Sequence, residues 1–375
     1  MEIYLIGGAV RDLLLGRPVT DRDYLVDHAD RETFLGRYPT ARLVGKSFPV
    51  FIMDGCEYAW PRGETLGEDL QLRDLTVNAI ALGDNGILRA HPQAFRDLMD
   101  KILRPCSHSS MGDDPVRIFR AARFAAQFPD FSASPELLAQ MRAAADGGAL
   151  AGHAAERVGR EVAKALAAPR PSRFFDLLRQ GGCLSPWFEE VLAGVGVPAG
   201  PSAYHDKDVF GHLCEVMDRL AGDALLVWMG LTHDLGKALT PPDKWPSHHA
   251  HEKAGMIPAR RLGERLRLPA AFIEAGVMAA GEHMRVHAYA EMRPGPRVDL
   301  LLRLESRRLT SRMFKLAAAD GSPGLYPRAR RDLRAILKVR LPEDKKDLGE
   351  KSGEILRQLR CDALAAAGGD AGAAG

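Results

Sequence analysis

At 375 residues, with 46% hydrophobic and 27% charged residues and a net charge of only +2, the chain reads as a soluble globular protein of two to four domains, long enough for sizeable cores. An N-terminal apolar signal and a run of about eighteen apolar residues are both missing, so export and membrane spanning are excluded from the reading. The five cysteines, Cys56, Cys106, Cys183, Cys214 and Cys361, are scattered, odd in number and never in a CxxC pair, which argues against a disulfide framework or zinc ribbon and fits a reducing cytoplasm.

The first predicted elements lie in EIYLIGGAVRDLLLGRPVTDRDYLV, Glu2 to Val26. Ile3 to Ile6 and Tyr24 to Val26 read as strands, and Ala9 to Leu15, with Val10, Leu13 and Leu14 at helical spacing, as the helix between them. At the first turn Gly7 and Gly8 carry no Cβ, so the backbone can bend sharply and a phosphate can approach free amides at the start of the helix. Arg11 lies one turn further on and is expected, with Gly8, to steady the phosphates of a bound nucleotide. Asp21 and Asp23, two residues apart on the second strand, put both carboxylates on one face, and such a pair suits Mg²⁺, which takes oxygen ligands and fills its other positions with water and phosphates. Singly these are a tight turn and a solvated strand end. Together they are the parts of phosphoryl or nucleotidyl transfer. GGAVRD followed by DRD resembles the head of the polymerase-β-like nucleotidyltransferases, specifically the class II bacterial tRNA CCA-adding enzymes and their poly(A) polymerase relatives.

Further along, Arg31 to Pro39 reads as a short helix and turn, and Phe48 to Met53 and Glu57 to Trp60 as strands. Leu66 to Leu82, LGEDLQLRDLTVNAIAL, has a mixed apolar pattern read as a helix. Arg73, Asp74 and Asn78 match a family motif that closes the nucleotide pocket; without the resemblance they are a surface arginine and a capping asparagine.

Gly112 to Phe128, GDDPVRIFRAARFAAQF, predicts a helix capped by Asp113 or Asp114, with Pro115 in its first turn. Asp114, Arg117, Arg120 and Arg123 recur every third residue, so the first three share one side and Arg123 comes round nearly opposite Asp114. The plain reading is a basic helix face with one ion pair. Base chemistry gives a sharper one: a carboxylate accepts from the exocyclic amine of cytosine or adenine, and an arginine donates to the adjacent ring nitrogen. Guanine and uracil present the opposite pattern, so one Asp and one Arg side by side would admit CTP and ATP and reject GTP and UTP. The stretch resembles the family's base-selecting motif, which implies that Asp114 and Arg117 read the base while Arg120 and Arg123 lie near the nucleotide.

Ala154 to Ala167 and Arg173 to Gln180 have helical spacing and read as scaffold, and the Gly and Pro content of Ala193 to Ser202 marks a linker. Beyond it come His212 in FGHLCEVM, His233 and Asp234 in LTHDLGK, His251 in HHAHEKAG, His283 in AGEHMRVH and Asp320 in AAADGSPG. Imidazole and carboxylate ligands from several helices suit a transition-metal or mixed Mg²⁺ phosphohydrolase site, and the pattern resembles the HD-domain phosphohydrolases found in one bacterial subgroup of CCA-adding enzymes. The resemblance implies these six as ligands, of Ni²⁺, Mn²⁺ or Co²⁺, with Asp320 the least well matched.

Arg293 to Lys346 holds 15 Lys and Arg against 6 Asp and Glu, a net of +9, an electrostatic footprint for tRNA as well as a solubilising surface. Residues from Ala363 onward are low in complexity and expected to be frayed. The expected fold is α+β: a nucleotidyltransferase head of sheet and helices over 1–110, a helical neck over 111–192, a helical HD domain over 203–325 and a basic helical tail over 326–375. The resemblance implies Mg²⁺-dependent addition of the 3′-terminal CCA to tRNA from CTP and ATP, in the cytoplasm and with no membrane partner. Three alternatives stand beside it. A CC-adding enzyme is suggested because Glu57 and Arg73 are too close for the family's long flexible loop. A poly(A) polymerase belongs to the same superfamily, and an HD phosphohydrolase or RNA-binding protein would carry a degenerate head.

Overall fold

The computed structural model describes residues 1–45, 50–202 and 206–369, which divide into two compact units, Met1–Pro186 and Trp187–Gly375. In the first unit, a seven-stranded mixed sheet runs in the order β3-β4-β5-β2-β1-β6-β7. The strands are β1 (Glu2–Ile6), β2 (Asp23–Asp27), β3 (Arg42–Val44), β4 (Val50–Met53), β5 (Cys56–Ala59), β6 (Ile80–Gly83) and β7 (Leu88–Ala90). Alternation sorts the side chains of β2 to two cores. Leu25 joins Tyr4, Ile6, Leu66 and Leu70 on one face, and Val26 joins Phe34 and Phe51 on the other. Of the predicted strand Phe48 to Met53, the first two residues lie outside the described residues.

The helices of this unit are α1 (Gly8–Leu14), α2 (Arg31–Arg37), α3 (Leu66–Gln71), α4 (Ala94–Met99), α5 (Ser110–Asp113), α6 (Val116–Gln127), α7 (Pro135–Asp146), α8 (Ala155–Leu166) and α9 (Ser172–Gln180); a parallel pair, β8 (Ile102–Leu103) with β9 (Ser132–Ala133), completes it. The single helix expected over Leu66 to Leu82 is corrected to three pieces: α3, a 3₁₀ turn at Thr76–Asn78, and β6. Helical bonding stops because the Asp74 carboxylate takes the Leu75 amide (2.8 Å) and the Arg104 carbonyl takes the Thr76 amide (2.9 Å). Every residue from Leu75 to Ala81 is then buried, so the segment has no exposed helical face and runs through the interior into β6.

In the second unit, the helices are α10 (Glu189–Leu192), α11 (Val209–Arg219), α12 (Ala224–Thr232), α13 (His251–Ala254), α14 (Met256–Arg265), α15 (Ala270–His287), α16 (Pro294–Ser306), α17 (Thr310–Ala319), α18 (Tyr326–Lys338) and α19 (Glu350–Gly369). Helix α15 packs against α12, α14 and α17, around the fully buried Trp228. A 3₁₀ turn, Leu235–Leu239, follows α12 and packs on α13. At Gly236 the approach is backbone to backbone: a Cβ there would sit 2.0 Å from the His251 carbonyl oxygen and 2.6 Å from the Gly255 nitrogen. Only glycine fits, and its absence of a side chain brings the segment carrying Asp234 against the one carrying His251. The fraying expected from Ala363 is corrected as far as Gly369, which ends α19. Alanine favours helix, and Leu364 is buried; residues 370–375 lie outside the described residues. Among the described residues no helix is long and apolar enough to cross a membrane. The fold class is α+β, as expected.

Candidate active site

A cleft of about 480 Å³ opens in the first unit, lined by Gly7, Gly8, Asp21 and Asp23 on one side and by Asp114, Arg117, Arg120 and Arg123 on the other. Gly7 holds a positive φ of 69° at the turn out of β1, and a Cβ on it would meet Arg73 Nη1 at 3.2 Å. Gly8 begins α1. Asp23 heads β2, fixed by pairing with Ile6 of β1 and Glu57 of β5. Asp21 lies two residues before the strand and not on it, a correction to the expectation, but both carboxylates line the cleft. Burial, and then the neighbouring Asp21 charge, push the Asp23 carboxyl above its ordinary range. Two carboxylates lining one cleft, with burial and the Asp21 charge working against ionisation of Asp23, are a fit for a divalent cation, which would relieve the repulsion.

The basic side of the cleft is built on fixed ion pairs. Arg11 is buried: its Nη1 donates to Asn78 Oδ1 (2.5 Å), its Nε donates to Asp12 Oδ1 (3.0 Å), and its guanidinium lies 4.6 Å from the Phe128 ring centre. Arg73 donates from Nη2 to Asp69 (2.9 Å), and Arg120 donates from Nε to Asp74 (2.8 Å). Arg123 donates from Nε to Glu161 (2.6 Å). Arg117 donates from Nη2 to the Leu72 carbonyl (2.8 Å), which ties the start of α6 to the end of α3. Asp114 is extended, outside α6, and its Oδ1 accepts from the Val116 amide (3.3 Å). Its Oδ2 accepts from Arg157 Nη2 (2.7 Å). Burial alone would raise this carboxyl, but Arg157 and the amide outweigh it and hold Asp114 below the ordinary range.

Sequence reasoning missed Arg157, Glu161 and Lys164. Arg157 and Lys164 line the cleft, and Glu161 anchors Arg123. The signal was present, since positions 157, 161 and 164 fall on one face of a helix. Arg62, also at the cleft, donates from backbone and side chain to Asp69 (3.2 and 3.1 Å) and pins the short span after β5.

Asp74 makes a prediction about stability. Burial would raise its carboxyl, but the Arg120 charge and hydrogen bonds from Arg120, Asn78 and the Leu75 amide outweigh this and lower it from 3.8 to about 2. A folded value below the unfolded one stabilises above the unfolded value, and that contribution is lost as pH falls through the folded value. About 2 kcal/mol should therefore vanish between roughly pH 4 and pH 2. Urea midpoints measured down this range should fall more steeply for the native chain than for Asp74→Asn, which starts lower at neutral pH; parallel curves would contradict the assignment.

The second unit holds the other cluster. His212 comes from α11, His233 and Asp234 follow α12, His251 begins α13, His283 lies on α15 and Asp320 follows α17. The structure brings all six together. His212 Nε2 is 3.3 Å from Asp234 Oδ2 and 2.9 Å from Asp320 Oδ1, and His251 Nε2 is 3.2 Å from Asp234 Oδ1. His233, Asp234 and His283 are almost fully buried. Burial would lower the His233 imidazole, but the Asp234 and Asp320 charges raise it to about 10, and both carboxyls are held well below their ordinary range. Asp234 Oδ1 is a buried oxygen without a hydrogen-bond donor. An ionised buried carboxylate amid imidazole nitrogens fits a divalent transition metal, and Nδ1 of His233 on the Gly230 carbonyl (2.8 Å) leaves its Nε2 turned inward as a ligand would be.

Comparison with known proteins adds two family matches. One, described as "Probable RNA and SrmB- binding site of polymerase A", covers residues 130–194. The other, described as "HD domain", covers residues 204–322. The chain is 40% identical to the multifunctional CCA protein of Nitrosococcus oceani, over 97% of this chain and 98% of that one. It is 39% identical to the multifunctional CCA protein of Methylococcus capsulatus, over 97% and 94%. Among solved structures, a Thermotoga maritima CCA-adding enzyme complexed with tRNA matches with a TM-score of 0.62 at 21% identity, covering 97% of this chain and 87% of that one. A tRNA-processing enzyme with CTP matches with a TM-score of 0.62 at 24% identity, covering 97% and 96%. At those identities the structures speak for the fold alone, but the relatives align along nearly the whole length, through both the carboxylate cleft and the histidine cluster. This chain belongs to the family of multifunctional CCA proteins.

Proposed function

We propose that the chain is a tRNA nucleotidyltransferase that adds and repairs the 3′-terminal CCA from CTP and ATP, without a nucleic-acid template and with release of pyrophosphate. The observation that carries the reading is that paired carboxylates and a row of arginines line one cleft. The CC-only and poly(A) alternatives are not favoured, because the relatives that match from end to end are multifunctional CCA proteins. The proposed partners are tRNA, CTP and ATP, with no membrane partner, and the proposed location is the cytoplasm. The proposed division is a head over 1–110, a neck over 111–192, a phosphohydrolase-type domain over 203–325 and a basic tail over 326–375.

The family depends on divalent metal, and the head ion is proposed as Mg²⁺, held by Asp21 and Asp23. When bound it would stabilise the charge that develops as the tRNA 3′ oxygen attacks the α-phosphorus. The chain's own residues do the positioning. Gly7 and Gly8 leave room for phosphate oxygens against the backbone, and Arg11 orients Asn78 at the floor of the cleft. Arg73, Arg120 and Arg123 spread positive charge along the triphosphate, their own anchors keeping them from collapsing on it. Asp114 and Arg117 read the base, with Arg157 sharing the Asp114 carboxylate. The direct test supplies a tRNA lacking its 3′ end with each labelled nucleotide, singly and together. Extension by two cytidines and one adenosine is expected; extension by adenosines alone, or a stop after two cytidines at high ATP, would overturn the reading.

For the second unit the proposed activity is metal-dependent phosphohydrolysis, with Ni²⁺, Mn²⁺ or Co²⁺ held by the histidine cluster. His233→Ala or Asp234→Ala should abolish phosphatase or cyclic phosphodiesterase turnover and leave nucleotide addition intact. The absence of hydrolysis by the native chain with Mg²⁺, Mn²⁺, Co²⁺ and Ni²⁺ in turn would refute it.

A further inference from the structure

Among the described residues, each of the seven arginines lining the cleft of the first unit is tied to a carboxylate or a carbonyl, from Arg62 on Asp69 (3.1 Å) to Arg157 on Asp114 (2.7 Å). Arg123 is held twice, by Glu161 and by Gln127. The remaining cation of the cleft is Lys164, in the last turn of α8. It is exposed, and among the described residues it has no hydrogen-bond or ion-pair partner.

The helix explains both the direction of Lys164 and its bareness. Helix α8 packs against α6, with Val158, Val162 and Ala165 buried, and Arg157, Glu161 and Lys164 follow at helical spacing on another face. A lysine in a last helical turn is favoured by the helix dipole, but that preference does not choose the side that meets the cleft. Glu161, three residues earlier, is the natural ion-pair partner on the same helix. Its carboxylate is taken by Arg123 at 2.6 Å, so Lys164 is left uncompensated. Seven residues at 1.5 Å each put it about 10 Å along α8 from Arg157, which is pinned to the base-reading Asp114. Lys164 therefore meets a different part of the bound molecules from the base that Asp114 is placed to read.

We propose that Lys164 binds a backbone phosphate of the RNA 3′ strand that enters the cleft to be extended, a role that rests on the nucleotidyltransferase reading. The two substrates make different demands on a cation. A nucleoside triphosphate returns to the same place in every round, which suits guanidinium forks fixed by their own anchors. The RNA strand is one nucleotide longer after each round, so its phosphates shift against the walls of the cleft. A lysine, a compact charge with three donors on a flexible four-carbon stem, can follow such a shift where an anchored fork cannot. Lys164 also lies within residues 130–194, the segment matched by the RNA-binding family.

The test compares the native full chain with Lys164→Ala and Lys164→Arg on tRNA ending before its CCA, after one cytidine and after two. Lys164→Ala should raise KM for tRNA by about three- to tenfold at all three stages and leave KM for CTP and ATP within about twofold. The salt slope of tRNA binding should fall by about 0.7, the value for one phosphate of a single strand, and Lys164→Arg, which keeps the charge, should restore it. Binding of a tRNA trimmed back to the paired end of its acceptor stem should be the same for native chain and Lys164→Ala. A raised KM for the nucleotides with that for tRNA unchanged would assign Lys164 to the triphosphate and overturn the proposal. Unchanged KM for both substrates, a loss at one stage only, or an equal loss with the trimmed tRNA, would overturn it as well. A native chain that binds these tRNAs and extends none of them would sink the nucleotidyltransferase reading, and the salt titration would still decide whether Lys164 holds an RNA phosphate.

Discussion

Alanine at Asp21 or Asp23 is expected to lower nucleotide addition by roughly a thousandfold or more while leaving tRNA affinity within about twofold. The two carboxylates sit in the cleft close enough for Asp21 to raise the Asp23 carboxyl, so both are placed for one cation and neither is needed for RNA phosphates, which would be repelled by them. Asp23 should be the less forgiving position. It is held in the sheet between β1 and β5, whereas Asp21 lies ahead of the strand. Single-turnover extension of a tRNA ending before its CCA, with binding measured on the same preparations, separates the effects. Addition at near-native rate in either variant, or a matching loss of tRNA binding, would remove these residues from metal binding.

The second large effect concerns base choice. Asp114→Ala or Arg117→Ala should raise incorporation of UTP or GTP relative to CTP by about ten- to a hundredfold, since one base-edge hydrogen-bond pair discriminates by about 1–3 kcal/mol. Arg117 also ties the start of α6 to the Leu72 carbonyl, so its replacement should in addition lower stability. Among the described residues the Asp114 side chain is tied to Arg157 and the Val116 amide alone, which makes it the cleaner probe. Arg157→Ala frees the carboxylate and should raise nucleotide affinity or leave it unchanged while preserving base choice. Discrimination unaltered in both the Asp114 and Arg117 variants would mean that the base is read elsewhere in the cleft.

What could be read from the sequence follows a physical line. The GG turn, Arg11, the two aspartates and the three-residue ladder from Asp114 to Arg123 are local patterns, and local spacing fixes which side of a strand or helix each group takes. Their partners are not local. Glu161 lies 38 residues from Arg123 and Asp74 lies 46 from Arg120, so nothing in the spacing says that these arginines are anchored and not free. The misread helix over Leu66 to Leu82 has the same origin. Its Asp74 side chain bonds the Leu75 amide, and the Thr76 amide is taken by a carbonyl from Arg104; tertiary bonds replaced helical ones that the residue types alone allowed. In the second unit the six ligand-type residues spread from His212 to Asp320 were grouped by likeness to a known pattern, and their division between the two oxygens of Asp234 was invisible until distances were in hand.

Gly236 sets a limit on how this family member can change with time. A lineage that abandoned the metal could replace His251 or His283 one at a time, each loss costing only chemistry that was no longer under selection. It could not replace Gly236, because the nearest atoms are main chain and no compensating substitution can shrink a carbonyl. The glycine should therefore outlast the histidines it brings together, and a descendant with a glycine here but no histidines around it would carry the imprint of the proposed metal site.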